Sequence, residues 1–283
     1  MLRFTKMNGA GNDFILIDNR AGDIDLKRSQ IAYLCDRHRG IGADGILLLE
    51  NTTNRADFRM RYFNADGGEA EMCGNGARCF ARFANKVAGT QKTISFETQA
   101  GVISAELISN LVTLRMTEPA DLRLNVKVPV EAAPHRFSRG QSATGASSLL
   151  HFINSGVPHV VIPVPKIDDV DVQREGAAIR HHEMFSPNGA NVNCIEKRGP
   201  NKIAIRTYER GVENETLACG TGIVASALIF AATEHASTPV QVIARGGDEL
   251  QVGFELNEDS FRNVTLTGPA EFVFEGTIDI EQE

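Results

Sequence analysis

The sequence predicts an α+β fold of two pseudo-duplicated domains, each rich in strands and carrying one principal helix. Three observations point there. First, Cys73-Gly-Asn-Gly-Ala-Arg-Cys-Phe-Ala-Arg-Phe83 is similar to Cys219-Gly-Thr-Gly-Ile-Val-Ala-Ser-Ala-Leu-Ile-Phe230, each a Cys-Gly-x-Gly followed by an apolar, helix-prone run. Second, an alternating, strand-like segment stands before each one, FRMRYFN at 58–64 and KIAIRTYE at 202–209. Third, each run leads into a hairpin pattern, TISFETQAGVISAEL or VQVIARGGDELQVGFEL, and each half closes on a related phrase, VTLRMTEPA or VTLTGPA. Repeated parts in the same order are the mark of an internal duplication.

Taken along the chain, SQIAYLCDRH is an amphipathic helical run, with Gly40 expected as its C-cap and ILLLE as the strand that follows. The helix opening near Gly74 spaces Ala77, Phe80, Phe83, Ala84 and Val87 for one buried face. The prolyl, polar stretch from Pro119 to about Leu149 reads as the join between the halves. NVNCIEK reads as a strand, and the final stretch AEFVFEGTIDI is expected to pack back onto the first domain. The expected domains are therefore 1–120, completed by 269–283, and 121–268.

Composition narrows the function. The 283 residues suffice for two cores, and 42% hydrophobic with 23% charged residues is a globular balance. A formal net charge of −7 without any basic run argues against a nucleic acid or an anionic membrane as partner. Neither a signal-peptide core nor an apolar stretch of membrane-spanning length is present, so the expected compartment is the cytoplasm. Five cysteines, Cys35, Cys73, Cys79, Cys194 and Cys219, read as reduced thiols, and no ligand set has metal-binding spacing.

A free cysteine is usually a small buried hydrophobe, which suits Cys35, Cys79 and Cys194. Cys73 and Cys219 differ, because the duplication places a thiol at a helix start twice. Unpaired backbone N–H groups and the helix dipole favour a thiolate there, and the neighbouring glycines let a carboxylate approach. Two thiols facing each other across a domain cleft suit inversion of a stereocentre. One removes the α-proton from one face while the other delivers a proton to the opposite face. The helix N-termini would stabilise the carbanion's carboxylate. A small amino-acid substrate and no cofactor follow from that chemistry.

The residues that carry a family resemblance are Lys6-Met-Asn-Gly-Ala-Gly-Asn-Asp-Phe14 and Phe63-Asn-Ala-Asp-Gly-Gly-Glu-Ala-Glu-Met-Cys-Gly-Asn-Gly-Ala-Arg78. In the second half they are Gly156-Val-Pro-His159, Asn191-Val-Asn193, Tyr208-Glu-Arg-Gly211 and Glu215-Thr-Leu-Ala-Cys-Gly-Thr-Gly222. With these the sequence resembles the diaminopimelate epimerases over nearly its whole length. The resemblance implies conversion of LL-diaminopimelate to the meso form in lysine and peptidoglycan-precursor synthesis, without pyridoxal phosphate or metal. It implies mixed, mostly antiparallel sheets, each curled around its central helix, an active site in the interdomain cleft, and a homodimer. By the family pattern Cys73 and Cys219 are the acid/base pair, with His159 and Glu209 positioning and activating the thiols. Asn12, Asn64, Asn75, Asn191, Glu209 and Arg210 would hold the substrate's ends. The backbone N–H groups of Gly74, Gly220 and Thr221 would bind its reacting carboxylate.

Three departures concern substrate binding: Val157 where many relatives have Asn, Gly45 where some have Gln, and a 211–216 loop one residue longer than a common form. Proline racemases and hydroxyproline epimerases are the enzymatic alternative, although they typically carry His where this chain has Asn75. A non-catalytic amino-acid-binding protein would need the cleft but no thiols. Gly40-Ile-Gly-Ala-Asp-Gly45 fits a dinucleotide fingerprint only literally, because it follows a helix and precedes a strand.

Overall fold

The computed structural model describes residues 1–89, 91–128, 148–257 and 260–280. It divides into two compact units, Met1–Arg115 with Thr267–Glu283, and Met116–Leu266.

The first unit opens with β1 (Leu2–Gly9), β2 (Asn12–Asp18), α1 (Arg28–Cys35), β3 (Gly45–Glu50), β4 (Phe58–Asn64) and the short β5 (Glu69–Ala70). It continues with α2 (Gly74–Ala88), β6 (Thr93–Thr98), β7 (Gly101–Ile108) and β8 (Leu111–Arg115). The ladders β1/β2, β3/β4, β4/β5, β6/β7 and β7/β8 are antiparallel, while β2/β3 and β4/β6 are parallel. Parallel neighbours need a crossover, and α1 and α2 supply the two.

The second unit repeats this order. Its elements are β9 (Ala120–Val128), β10 (Ser148–Asn154), β11 (Pro158–Pro163), α3 (Val172–Arg180), β12 (Asn191–Gly199), β13 (Lys202–Glu209) and β14 (Asn214–Thr216). Then come α4 (Gly220–Glu234), β15 (Val240–Ile243), β16 (Glu249–Asn257) and β17 (Ser260–Pro269), whose end returns the chain to the first unit, where β18 (Glu271–Ile278) lies. Here β10/β11, β12/β13 and β15/β16 are antiparallel, and β11/β12 and β13/β15 parallel. The correspondence extends to the sheet margin. β9 pairs antiparallel with β10, and β18 in the same way with β1, Leu2 standing opposite Ile278.

The strands of each unit wrap one helix. α2 packs against β1, β2, β3, β4, β6, β7 and β8, and α4 against β10, β11, β12, β13, β15 and β16. α4 is apolar nearly all round and buried from Gly222 to Ala231, as a fully enclosed helix must be. The other helix of each unit covers the opposite sheet face. Ile15, Ile17, Ile46 and Leu48 form a core with Ile31 and Leu34 of α1, and Val160, Ile162 and Val192 form one with Val172 and Ile179 of α3. With both faces covered, the central strands read as unbroken apolar runs such as FILI and ILLL.

Three details differ from the sequence-based expectations. The cap of α1 is Asp36, whose N–H bonds back to Ala32 and Tyr33, while Gly40 lies four residues on and donates to the Asp36 carbonyl. Residues expected as the start of the join form β9, because Leu122, Leu124 and Val126 alternate with polar neighbours at strand period. The rest of that expected join, 129–147, lies outside the described residues. Finally, α3 is a helix that the strand-rich pattern of its half does not announce. Among the described residues no helix is long and apolar enough to cross a membrane.

Candidate active site

Cys73 and Cys219 occupy equivalent positions, each the N-cap of a 15-residue helix in extended backbone conformation. The Cys73 carbonyl accepts from the Ala77 N–H at 2.7 Å, and the Cys219 carbonyl from the Ile223 N–H at 2.9 Å. Neither side chain caps its own helix, so neither sulfur is spent on the helix's leading N–H groups. Gly74 and Asn75 follow in one unit and Gly220 and Thr221 in the other, where those N–H groups lie. The Cys219 Sγ stands 3.6 Å from the Thr221 hydroxyl. The other three thiols are different in kind. Burial pushes Cys35, Cys79 and Cys194 up to about 12, so they remain protonated hydrophobes.

In the first unit a directional chain of hydrogen bonds runs beneath the start of α2. Arg78, fully buried, donates to Asn75 Oδ1 at 2.8 Å and to the Pro269 and Gly9 carbonyls at 3.2 and 3.4 Å. A guanidinium can only donate, so Asn75 must present its oxygen to Arg78 and its amide N–H elsewhere. Asn75 Nδ2 donates to Asn12 Oδ1 at 2.6 Å, and Asn12 Nδ2 donates to Asp44 Oδ2 at 2.8 Å. Arg37 bridges Asp44 and Asp13, and Lys6 pairs with Asp13 at 2.8 Å. Burial opposes the Asp13 charge, yet bonds from Arg37 and Lys6 outweigh it and hold the carboxyl at about 2. The polarity of both asparagine amides is therefore fixed from its two ends, and each keeps one further amide N–H. Asn64 ends β4 opposite Gly45, with its side chain exposed above the turn closed by Gly67 and Gly68.

In the second unit His159 and Asn191 are paired across the parallel β11/β12 ladder, and both are buried. Asn191 Oδ1 accepts from the Arg210 N–H at 2.8 Å and its Nδ2 donates to the Pro158 carbonyl at 3.3 Å. The amide thereby fastens the end of β13 to the start of β11. Burial raises the Glu209 carboxyl above its ordinary range, with the Thr216 hydroxyl partly offsetting the shift. Arg210 makes one long bond, at 3.3 Å, from its guanidinium to the Asn188 carbonyl. Among the described residues it has no ion-pair partner, whereas Arg180 and Arg206 are paired with Glu213 and Glu215.

A family model for diaminopimelate epimerase matches residues 4–121 and 151–273. The chain belongs to the diaminopimelate epimerase family. A diaminopimelate epimerase from Chlorobaculum tepidum is 43% identical over 278 residues, covering 97% of this chain and 100% of that protein. One from Aquifex aeolicus is 39% identical, covering 99% of each. Among solved structures, a phenazine biosynthesis protein of the PhzF family from Bacillus anthracis superposes with a TM-score of 0.72 at 17% identity, covering 99% of both chains. A hydroxyproline epimerase from Agrobacterium vitis gives 0.67 at 14% identity, covering 97% of this chain and 91% of that one. At such identities these two establish the fold alone.

Within this family's pattern, the departure at Gly45 has a packing cause. A Cβ there would lie 2.4 Å from the Phe63 carbonyl oxygen and 2.7 Å from the Tyr62 ring, so no larger residue fits without moving β4. Val157 lies half-buried in a turn tied to α4, since the Ser155 hydroxyl donates to the Thr221 carbonyl at 2.9 Å. Two residues inside the family motifs carry roles that sequence reasoning did not assign: Arg78, which sets the Asn75 amide, and Asn193, which touches His159. Asn193 lies 34 residues from His159, and Arg78, although only three residues from Asn75, is anchored by the Gly9 and Pro269 carbonyls 69 and 191 residues away, so no local pattern marks them.

His159 also sets a pH dependence of stability. Burial, with Arg210 nearby, pushes its imidazole down to about 3. Below about 6.5 the unfolded chain binds a proton that the folded chain does not, so stability falls on acidification, by up to about 1.4 kcal/mol per pH unit until the folded pKa is reached. His159→Phe is expected to remove that one-proton slope between about pH 6 and pH 4. Urea denaturation of both proteins across this range checks it, and identical slopes would refute it.

Proposed function

We propose that this protein interconverts LL- and meso-diaminopimelate by two-base proton transfer at one α-carbon, with Cys73 and Cys219 as the two bases and no cofactor. The observation that carries the reading is the equivalent placement of the two thiols, each an N-cap in its own copy of a duplicated unit. A helix N-terminus lowers a thiol's pKa and binds anions, and inversion needs both properties twice.

In this scheme the thiolate of one cysteine takes the α-proton, and the C–H electron pair passes into the substrate carboxylate. The thiol of the other cysteine then delivers its proton to the opposite face. The pair is left in the reversed protonation state, which suits the reverse reaction and returns by exchange with solvent. The N–H groups of Gly74, Gly220 and Thr221 stabilise the charge that develops on the carboxylate, where preorganised donors have their largest effect. The guanidinium of Arg210, free of ion pairs among the described residues, suits a second carboxylate. Asn12, Asn64, Asn75 and Asn191 offer amide N–H or carbonyl groups to the substrate's ends. Glu209, with its raised pKa, and His159 complete the set as positioning groups for the thiols.

Lysine and peptidoglycan-precursor synthesis, a cytoplasmic setting and a homodimer belong to the same reading on the strength of family membership. The test is incubation of reduced enzyme with LL-diaminopimelate in D₂O without added cofactor. Deuterium is expected at one α-carbon of the meso product, and proline or hydroxyproline should not exchange. No exchange with diaminopimelate would overturn the substrate, and equal exchange with proline would favour the other enzyme class.

A further inference from the structure

His159 and Asn193 form a polar pair, both fully buried, on the sheet face that packs against α4. Asn193 Nδ2 lies 2.9 Å from the Val160 carbonyl oxygen and 3.1 Å from His159 Nδ1, and its Oδ1 accepts from the Thr207 hydroxyl at 2.9 Å. The Val160 carbonyl can only accept, so the Asn193 atom facing it must be the NH₂ group. Turning the amide over would set two oxygens against each other. That same NH₂ group supplies the proton between Asn193 and His159. The Nδ1 atom is therefore an acceptor, and the ring's single proton sits on Nε2. Nε2 is itself buried, with no hydrogen-bond partner among the described residues.

The duplication supplies an internal control. In the first unit the equivalent places in the parallel ladder hold Phe14 and Leu47, as the pairs Phe14–Gly45 and Leu16–Leu47 match His159–Asn191 and Val161–Asn193. The third residue of α2, Gly76, faces Phe14 and Leu47: a Cβ there would lie 3.5 Å from carbons of both side chains. The third residue of α4, Gly222, faces Asn193: a Cβ there would lie 2.5 Å from Asn193 Oδ1 and 3.4 Å from Cys219 Sγ. The fold is satisfied by an apolar pair at this place. A buried polar pair costs desolvation that an apolar one does not, so its presence beside the Cys219 N-cap points to use rather than packing.

We infer that Asn193 is a positioning residue that holds His159 as the neutral Nε2–H tautomer, so that the imidazole acts as a hydrogen-bond donor and not as a base. The functional half of this inference rests on the proposed epimerase reading. There His159 would stabilise a thiolate or a substrate oxygen through Nε2–H, and proton abstraction would belong to the cysteines. Arg210 is the charged group nearby, and its positive charge also disfavours the imidazolium.

The tautomer can be read without any assay of activity. Long-range ¹⁵N–¹H spectra of His-labelled protein are expected to show His159 with a protonated Nε2 and a bare Nδ1, unchanged from about pH 5 to about pH 8. Asn193→Asp puts an acceptor opposite Nδ1 and is expected to move the proton there, while Asn193→Leu leaves the tautomer mixed. A wild-type ring protonated at Nδ1 would overturn the inference, as would a tautomer indifferent to Asn193→Leu. The double variant His159→Phe/Asn193→Leu, which copies the first unit's pair, is expected to keep the wild-type denaturation midpoint. Asn193→Leu should lower kcat by about tenfold or more with little change in KM. If the spectra agree but kcat does not move, the tautomer stands and the catalytic use of His159 falls.

Discussion

Cys73→Ala and Cys219→Ala are each expected to lower kcat/KM for epimerisation by about 10³-fold or more. A positioned acid or base contributes about 10²–10⁴-fold, and two-sided transfer loses either its acceptor or its donor when one thiol is removed. On the free-energy scale 10³-fold is about 4 kcal/mol of transition-state stabilisation. The two variants should differ in a way that a one-base mechanism would not produce. Each keeps one thiol on one face, so each is expected to retain slow solvent exchange of the α-proton with only one of the two stereoisomers, and opposite ones. Stereoisomer-resolved exchange in D₂O measures this directly. Exchange with both isomers in either variant would show that one group serves both faces. Stability should move little for Cys73, which is partly exposed, and modestly for Cys219, which is buried.

Arg78→Met is expected to destabilise the protein by about 3 kcal/mol or more. The substitution keeps much of the volume but strands two buried acceptors, Asn75 Oδ1 and the Gly9 carbonyl, and the part-buried Pro269 carbonyl, at about 1–3 kcal/mol for each buried one when unsatisfied. Arg78→Lys keeps the charge but not the fork, and should fall between the two. Asn75 also loses the bond that sets its polarity, so KM should rise in Arg78→Met more than kcat falls. Urea denaturation and steady-state kinetics on the same preparations measure both. A loss under about 0.5 kcal/mol would mean the guanidinium is not what organises the start of α2.

These two expectations sit at opposite ends of what the sequence makes legible. Cys73 and Cys219 stand out from residue order alone, because a Cys-Gly-x-Gly that precedes an apolar run is a local pattern and the duplication repeats it. Strand alternation is equally local, and it placed β4, β6, β7, β13, β15 and β16. At β9 the alternation is present, but prolyl and polar composition overshadows it and the segment reads as a join. A glycine after a helical run is usually its cap, which makes Gly40 the expected one. The helix had already ended at Asp36, where the backbone turns back to bond the last helical carbonyls.

Arg78, Asn75, Asn12 and Asp44 belong to the other class. The Asn75–Asn12 and Asn12–Asp44 bonds join residues 63 and 32 positions apart, and Arg78, three residues from Asn75, is held by the Gly9 and Pro269 carbonyls 69 and 191 positions away, so no window along the chain contains the whole set. The same holds for Asn193, which reaches back 34 residues to His159.

By itself, then, the sequence determined the duplicated α+β plan and which two of five thiols stand at helix starts, since both depend on short-range periodicity and backbone preference. Only the tertiary structure decided which way the buried amides point, which imidazole nitrogen carries the proton, and that Phe14 and Leu47 in one unit answer to His159 and Asn193 in the other. Hydrogen-bond polarity is set by the partner across the sheet or under the helix, and that partner is chosen by packing.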